Sequence, residues 1–177
     1  MAFRSLFWGF LFLFDFKING FDILPDLIGY ILFLSGLSRL AERHPLFAKA
    51  KPLAVVLLVL SVFKLIPYQL EVGAGFAMSG GVLLVILLGL INTALVLFFV
   101  YCLCGGVAAL AEEAGQEELA RTARFRWNLY LVMAIGVFVA TLIPPLGILL
   151  VIPLFLYSIV VLALLMGLMQ QAERAIG

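Results

Sequence analysis

Residues 15–43 read DFKINGFDILPDLIGYILFLSGLSRLAER, from Asp15 to Arg43. The stretch opens on acids and an Asn19-Gly20 turn signal, runs through an apolar span and closes on Arg39 and Arg43. Asp22 is a good capping residue, Pro25 suits a first helical turn and Asp26 follows it, so a helix is predicted over about 25–42. Acids at its start and bases at its end give that helix a direction across a bilayer.

The rest of the chain fits a membrane too. Of its 177 residues, 66% are hydrophobic and 12% charged, with a mean hydropathy of +1.25. An average soluble domain carries about 25% charged residues. So apolar a chain has too little polar surface to face water. The net charge of +1 suggests no nucleic-acid partner, and one histidine with two cysteines leaves little for a metal centre or a disulfide framework.

Five further helices are predicted around the first, giving an all-α bundle of six in a single integral membrane domain over 1–177. Arg4 precedes an apolar run without a cleavage site, so this segment reads as a retained helix over about 3–18. Its uncharged core, Ser5 to Phe14, is shorter than the ~20 residues of a full span, and crossing requires Arg4 and Lys17 to snorkel. Residues 39–51 read as a polar loop, and Pro52 opens a helix over about 52–70. The small-residue connection GAGFAMSGG, Gly73 to Gly81, precedes a helix over about 82–112. Gly115 marks a turn. Glu117 and Glu118 then open a helix over about 118–142, with Arg121 four residues after Glu117. No charge occurs between Trp127 and Ala172, too long for one span, and Pro144-Pro145-Leu146-Gly147 divides it ahead of a last helix over about 148–171.

Charge orients the bundle. With the amino terminus inside, nine of the 11 Lys and Arg residues fall on the inner side and only Lys17 and Lys64 on the outer. Both termini are therefore expected in the cytoplasm. A weak repeat recurs at the inner ends of the even helices: Gly36-Leu-Ser-Arg-Leu-Ala-Glu-Arg43, Gly106-Val-Ala-Ala-Leu-Ala-Glu-Glu113 and Gly167-Leu-Met-Gln-Gln-Ala-Glu-Arg174. It reads either as a triplicated parallel helix hairpin or as the common look of inner helix ends.

No catalytic constellation, cofactor motif or metal site emerges. Glu117-Glu118-Leu-Ala-Arg121 resembles the glutamates and arginine of intramembrane CAAX-type proteases but departs in spacing, and the only histidine, His44, lies in a predicted loop. Ser79 and His44 are expected on opposite sides, so they cannot form a hydrolytic pair. Cys102 and Cys104, two apart, do not share a helix face. Gly136 with Ala140 and Ala163 with Gly167 suit close helix packing.

Two polar sets stand out. Asp15, Asp22, Asp26, Lys64 and Glu71 gather on the outer side as a candidate pocket or ion pair, with Lys64 expected to pair with Asp26, or with Asp22 or Asp15 as the alternative partner. Counting from Pro52, Lys64 falls ~18 Å along its helix, inside the hydrocarbon core. Asn92 and Thr93 lie within an uncharged span and suit interhelical hydrogen bonding.

The run FDFKINGFDILPDLIGYILFLSGLSRL, Phe14 to Leu40, resembles the amino-terminal signature of small membrane proteins of Gram-positive bacteria. The resemblance implies a bacterial plasma membrane and no activity. Size and span number are similar to the substrate-binding subunits of energy-coupling-factor vitamin transporters, while Trp8 to Phe12 departs from the small-xxx-small pattern of their first helix. Two functions follow as expectations: transport or solute binding through the outward-facing polar pocket, with an unassigned ligand, or a non-catalytic module that binds another membrane protein, in signalling or at the envelope. The bilayer itself is the expected environment, with a homo-oligomer or a membrane-protein partner within it.

Overall fold

The computed structural model describes residues 2–12, 17–18, 21–22, 26–64 and 80–177. Among the described residues are six helices: α1 Ala2–Phe12, α2 Asp26–Leu40, α3 Pro45–Lys64, α4 Gly80–Glu113, α5 Glu117–Leu142 and α6 Pro144–Ile176. Two short strands, β1 Lys17–Ile18 and β2 Phe21–Asp22, pair antiparallel between α1 and α2. The fold is the expected all-α bundle. Among the described residues four helices are long and apolar enough to cross a membrane, and the chain is a small membrane-embedded protein. At 1.5 Å per residue, α1 and α2 reach only ~16 Å and ~22 Å, short of the ~30 Å hydrocarbon core.

Three boundaries depart from the sequence reading, each for a local reason. The first helix ends at Phe12 rather than near residue 18, because Lys17–Ile18 pair with Phe21–Asp22 instead. The register Ile18↔Phe21 encloses two residues, and Asn-Gly is the pair that most favours such a hairpin. The third helix begins at Pro45, not Pro52. His44 supplies the cap: its Nδ1 accepts from the Leu46 N–H at 3.2 Å, and its carbonyl from the Phe47 N–H at 3.1 Å. Pro45 then takes the first helical position, where no N–H is needed, while Pro52 is carried inside the helix and Lys49 and Lys51 lie on its exposed side. The last helix begins at Pro144, so the break from α5 is a single residue, Ile143, rather than the four-residue Pro144–Gly147 segment. Both prolines fit the first turn of α6. A Cβ at Gly147 would stand 2.5 Å from the Ala140 carbonyl, so only glycine lets the two helices fold back this tightly.

The helices form a closed ring. Each packs on its sequence neighbours, and α6 returns to α1. Neighbours run antiparallel: the start of α1 meets the end of α2 at Ala2–Gly36, the start of α3 meets the end of α4 at Phe47–Gly106, and Arg126 of α5 meets Gly167 of α6. This topology brings Arg4, Arg39, Arg43, Lys49, Lys51, Arg121, Arg124, Arg126 and Arg174 to one end, called here the basic end.

The core lies toward that end. Phe3, Phe33, Phe47 and Phe99, from four different helices, are all fully buried. Phe10, Phe33 and Phe99 meet edge-on, with centroids 4.9 and 5.1 Å apart, bridging α1, α2 and α4. In a bilayer such contacts stabilise through close packing, since lipid tails are as apolar as the core. The opposite halves of α4, α5 and α6 expose apolar side chains instead, with Leu149 73% exposed, as a lipid-facing surface requires.

The repeated segments occupy matching places in this ring. Gly36, Gly106 and Gly167 each receive a side chain from the preceding helix: Leu6, Phe47 and Arg126 respectively. The glutamates six residues on from Gly106 and Gly167 each reach the next helix around the ring. Glu112 pairs with Arg124 of α5. Glu173 of α6 accepts from the Phe3 N–H at 3.1 Å and from the Arg4 backbone, capping α1 and closing the ring.

Candidate functional site

The antiparallel α4–α5 pair carries three adjoining depressions. The first lies amid the apolar halves of these helices. It is a cleft of about 510 Å³ walled by Leu90, Val96, Tyr130, Met133 and Phe138, with Asn92 and Thr93 in its lining. The Thr93 hydroxyl donates to the Gly89 carbonyl at 2.9 Å, so Thr93 is satisfied within its own helix. Asn92 is half-buried. An amide has two donors and two acceptor sites, more than a helix surface can satisfy, and it presents them in an apolar medium.

The second cleft, about 460 Å³, lies nearer the basic end and touches α3 through Leu46. Ala108, Ala109 and Gly105 form its small-residue side, Tyr101 and Trp127 its aromatic side. The two rings meet edge-on with centroids 5.3 Å apart, and Tyr101 also stacks on Phe98. Glu112 and Arg124, joined as an ion pair across the α4–α5 junction, stand at one end of the cleft. The same pair borders the third depression, an open groove of about 760 Å³ lined by Glu117, Glu118 and Arg121. Within this groove Arg124 pairs with Glu112.

Behind the second cleft lies Arg126, only 9% exposed. Its Nη1 donates to the Leu164 carbonyl at 2.6 Å and its Nη2 to the Gln171 amide oxygen at 3.2 Å. Both acceptors are neutral and both lie on α6, so the guanidinium ties α5 to α6. It fills the place that Leu6 and Phe47 take in the other two hairpins. Cys102 and Cys104 are buried free thiols. Among the described residues no group of His, Cys, Asp and Glu could hold a metal.

The residues singled out from sequence are distributed unevenly. Asn92 and Thr93 share one cleft. Asp26 is half-buried as the first residue of α2. Lys64 is the last described residue of α3, about 28 Å from Pro45 at 1.5 Å per residue. The helix starts seven residues earlier than the expected Pro52, and Lys64 lies two residues beyond the apolar span Pro45–Val62. Asp15 and Glu71, with the side chains of Asp22 and Lys64, lie outside the described residues. The residues missed from sequence are Arg126, Glu173 and Tyr101 in these roles. Arg126 carried one legible signal, as the last charge before a long uncharged stretch.

No protein-family model, curated protein or solved structure matches the chain.

Proposed function

We propose that the protein is a non-catalytic membrane module whose α4–α5 face receives a helix of another membrane protein. The observation that carries this reading is the lateral cleft holding Asn92 and Thr93, which opens sideways among apolar side chains. Interhelical hydrogen bonds from such residues contribute roughly 1 kcal/mol each, and a partner helix with a small or polar residue would meet the amide there. The packed aromatic core supports the same reading, because Phe10, Phe33 and Phe99 fill the space between α1, α2 and α4. The basic end is proposed to face the cytoplasm of a bacterial plasma membrane, following the bias of Lys and Arg. Photo-cross-linkers at Leu90 and Phe138, both lining the cleft, test the partner. They should give one discrete protein adduct that Asn92→Leu removes, while a cross-linker at exposed Phe125 gives none. Adducts that ignore Asn92→Leu, or lipid adducts alone, would overturn the proposal.

A second reading, solute binding, has one backbone observation in its favour. Helices α2 and α3 pack as antiparallel neighbours, which sets Asp26 and Lys64 toward the same end of the bundle. In this reading Asp26, Asp22, Asp15 and Glu71 surround Lys64 in an outward-facing pocket.

A further inference from the structure

The cleft between α3, α4 and α5 combines features that no helix partner needs. One carboxylate and one guanidinium, Glu112 and Arg124, stand together at its polar end. Their side chains remain 46% and 65% exposed, so each keeps free hydrogen-bonding capacity toward solvent or ligand. Tyr101 and Trp127 form one wall, in the arrangement of an aromatic belt at a membrane interface. From Tyr101 an apolar path continues over Phe98, and both rings are nearly half exposed.

We propose that this cleft binds a phosphatidylethanolamine-type phospholipid, its ammonium against Glu112, its phosphate against Arg124 and an acyl chain over Tyr101 and Phe98. The charges select a zwitterion. An anionic headgroup would approach Glu112 with Glu117 and Glu118 in the adjoining groove, and a bare cation would meet Arg121 and Arg124. A primary ammonium offers three donors to a carboxylate, and phosphate accepts from the planar guanidinium fork. A choline headgroup has the same charges but no N–H, so it forfeits the bond to Glu112. The small residues Ala108 and Ala109 leave the headgroup room. This site does not depend on the partner-helix reading, which concerns the separate Asn92 cleft.

The test is native mass spectrometry of the full chain, delipidated in detergent and titrated with phosphatidylethanolamine, phosphatidylcholine or phosphatidylglycerol of the same acyl chains. Phosphatidylethanolamine should bind about tenfold more tightly than either, as the loss of one charge-assisted hydrogen bond implies. Glu112→Gln should reduce it to the phosphatidylcholine level, and Ala109→Trp, which fills the cleft, should weaken all three. Circular dichroism of both variants should match the parent. A variant that fails this control is replaced by Asn128→Leu at the cleft margin, which should lower phosphatidylethanolamine binding. Equal binding of the three lipids, tighter binding of phosphatidylglycerol, or selection that survives Glu112→Gln would overturn the proposal. Displacement by soluble phosphoethanolamine at equal concentration would overturn the lipid assignment.

Discussion

Replacing Gly106 by alanine adds one carbon, and that carbon would stand 2.6 Å from the Phe47 ring. The ring cannot swing away cheaply, because it is fully buried and lies edge-on to Phe3 at 6.3 Å. Overpacking of this kind costs about 1–3 kcal/mol. Alanine also gains about 1 kcal/mol over glycine in helix propensity, which opposes that cost. The same substitution at Gly89, earlier in α4, meets nothing within 4 Å among the described residues and keeps only the propensity gain. Comparing the two variants cancels propensity, so Gly106→Ala should be less stable than Gly89→Ala by about 1–3 kcal/mol. Reversible unfolding in mixed micelles, driven by rising dodecyl sulfate, measures the difference. Trimming the ring with Phe47→Leu should recover part of the loss in Gly106→Ala and nothing in Gly89→Ala. Equal stability of the two alanine variants within about 0.5 kcal/mol, the usual additivity error, would refute the packing described for α3 against α4.

Three other outcomes are expected. Glu173→Ala leaves the Phe3 N–H without its acceptor and should destabilise by about 0.5–2 kcal/mol, with hydrogen exchange accelerating in α1 while α4 is unchanged; uniform acceleration would deny the ring-closing role. In intact cells an impermeant thiol reagent should modify Ile143→Cys, at the exposed α5–α6 junction, and spare Gln116→Cys until lysis, against a silent background from buried Cys102 and Cys104; labelling of Gln116→Cys from outside would reverse the proposed orientation. For the solute-binding reading, Lys64→Leu and Asp26→Leu should each lower thermal stability in detergent and the double variant should recover part of it, whereas simple additivity would dismiss the pair.

Several features were legible in residues 15–43 and in the composition because they depend on local properties. A long apolar run must cross or line a bilayer wherever it packs, and Asn-Gly favours a turn in any context, while only the structure pairs the flanking Lys17–Ile18 with Phe21–Asp22. Helix boundaries were less legible. Pro45 and Pro52 are equally good first-turn residues, and only the His44 cap selects Pro45, which lengthens α3 by seven residues at its start. Asn92 and Thr93 were visible as polar residues in an apolar stretch, while the cleft they line needs α5 beside α4.

The sequence by itself determined the class of the protein, its six helices and the gathering of its basic residues, since hydropathy, caps and charge act within one turn or one span. Only the tertiary structure decided that the helices close into a ring, that Glu173 caps α1 across 170 positions of sequence, that Arg126 fills a place two other hairpins give to apolar side chains, and that Glu112 and Arg124 share a cleft with Tyr101 and Trp127. Those juxtapositions follow from side-chain volume and hydrogen-bond geometry between distant segments, which no local pattern encodes.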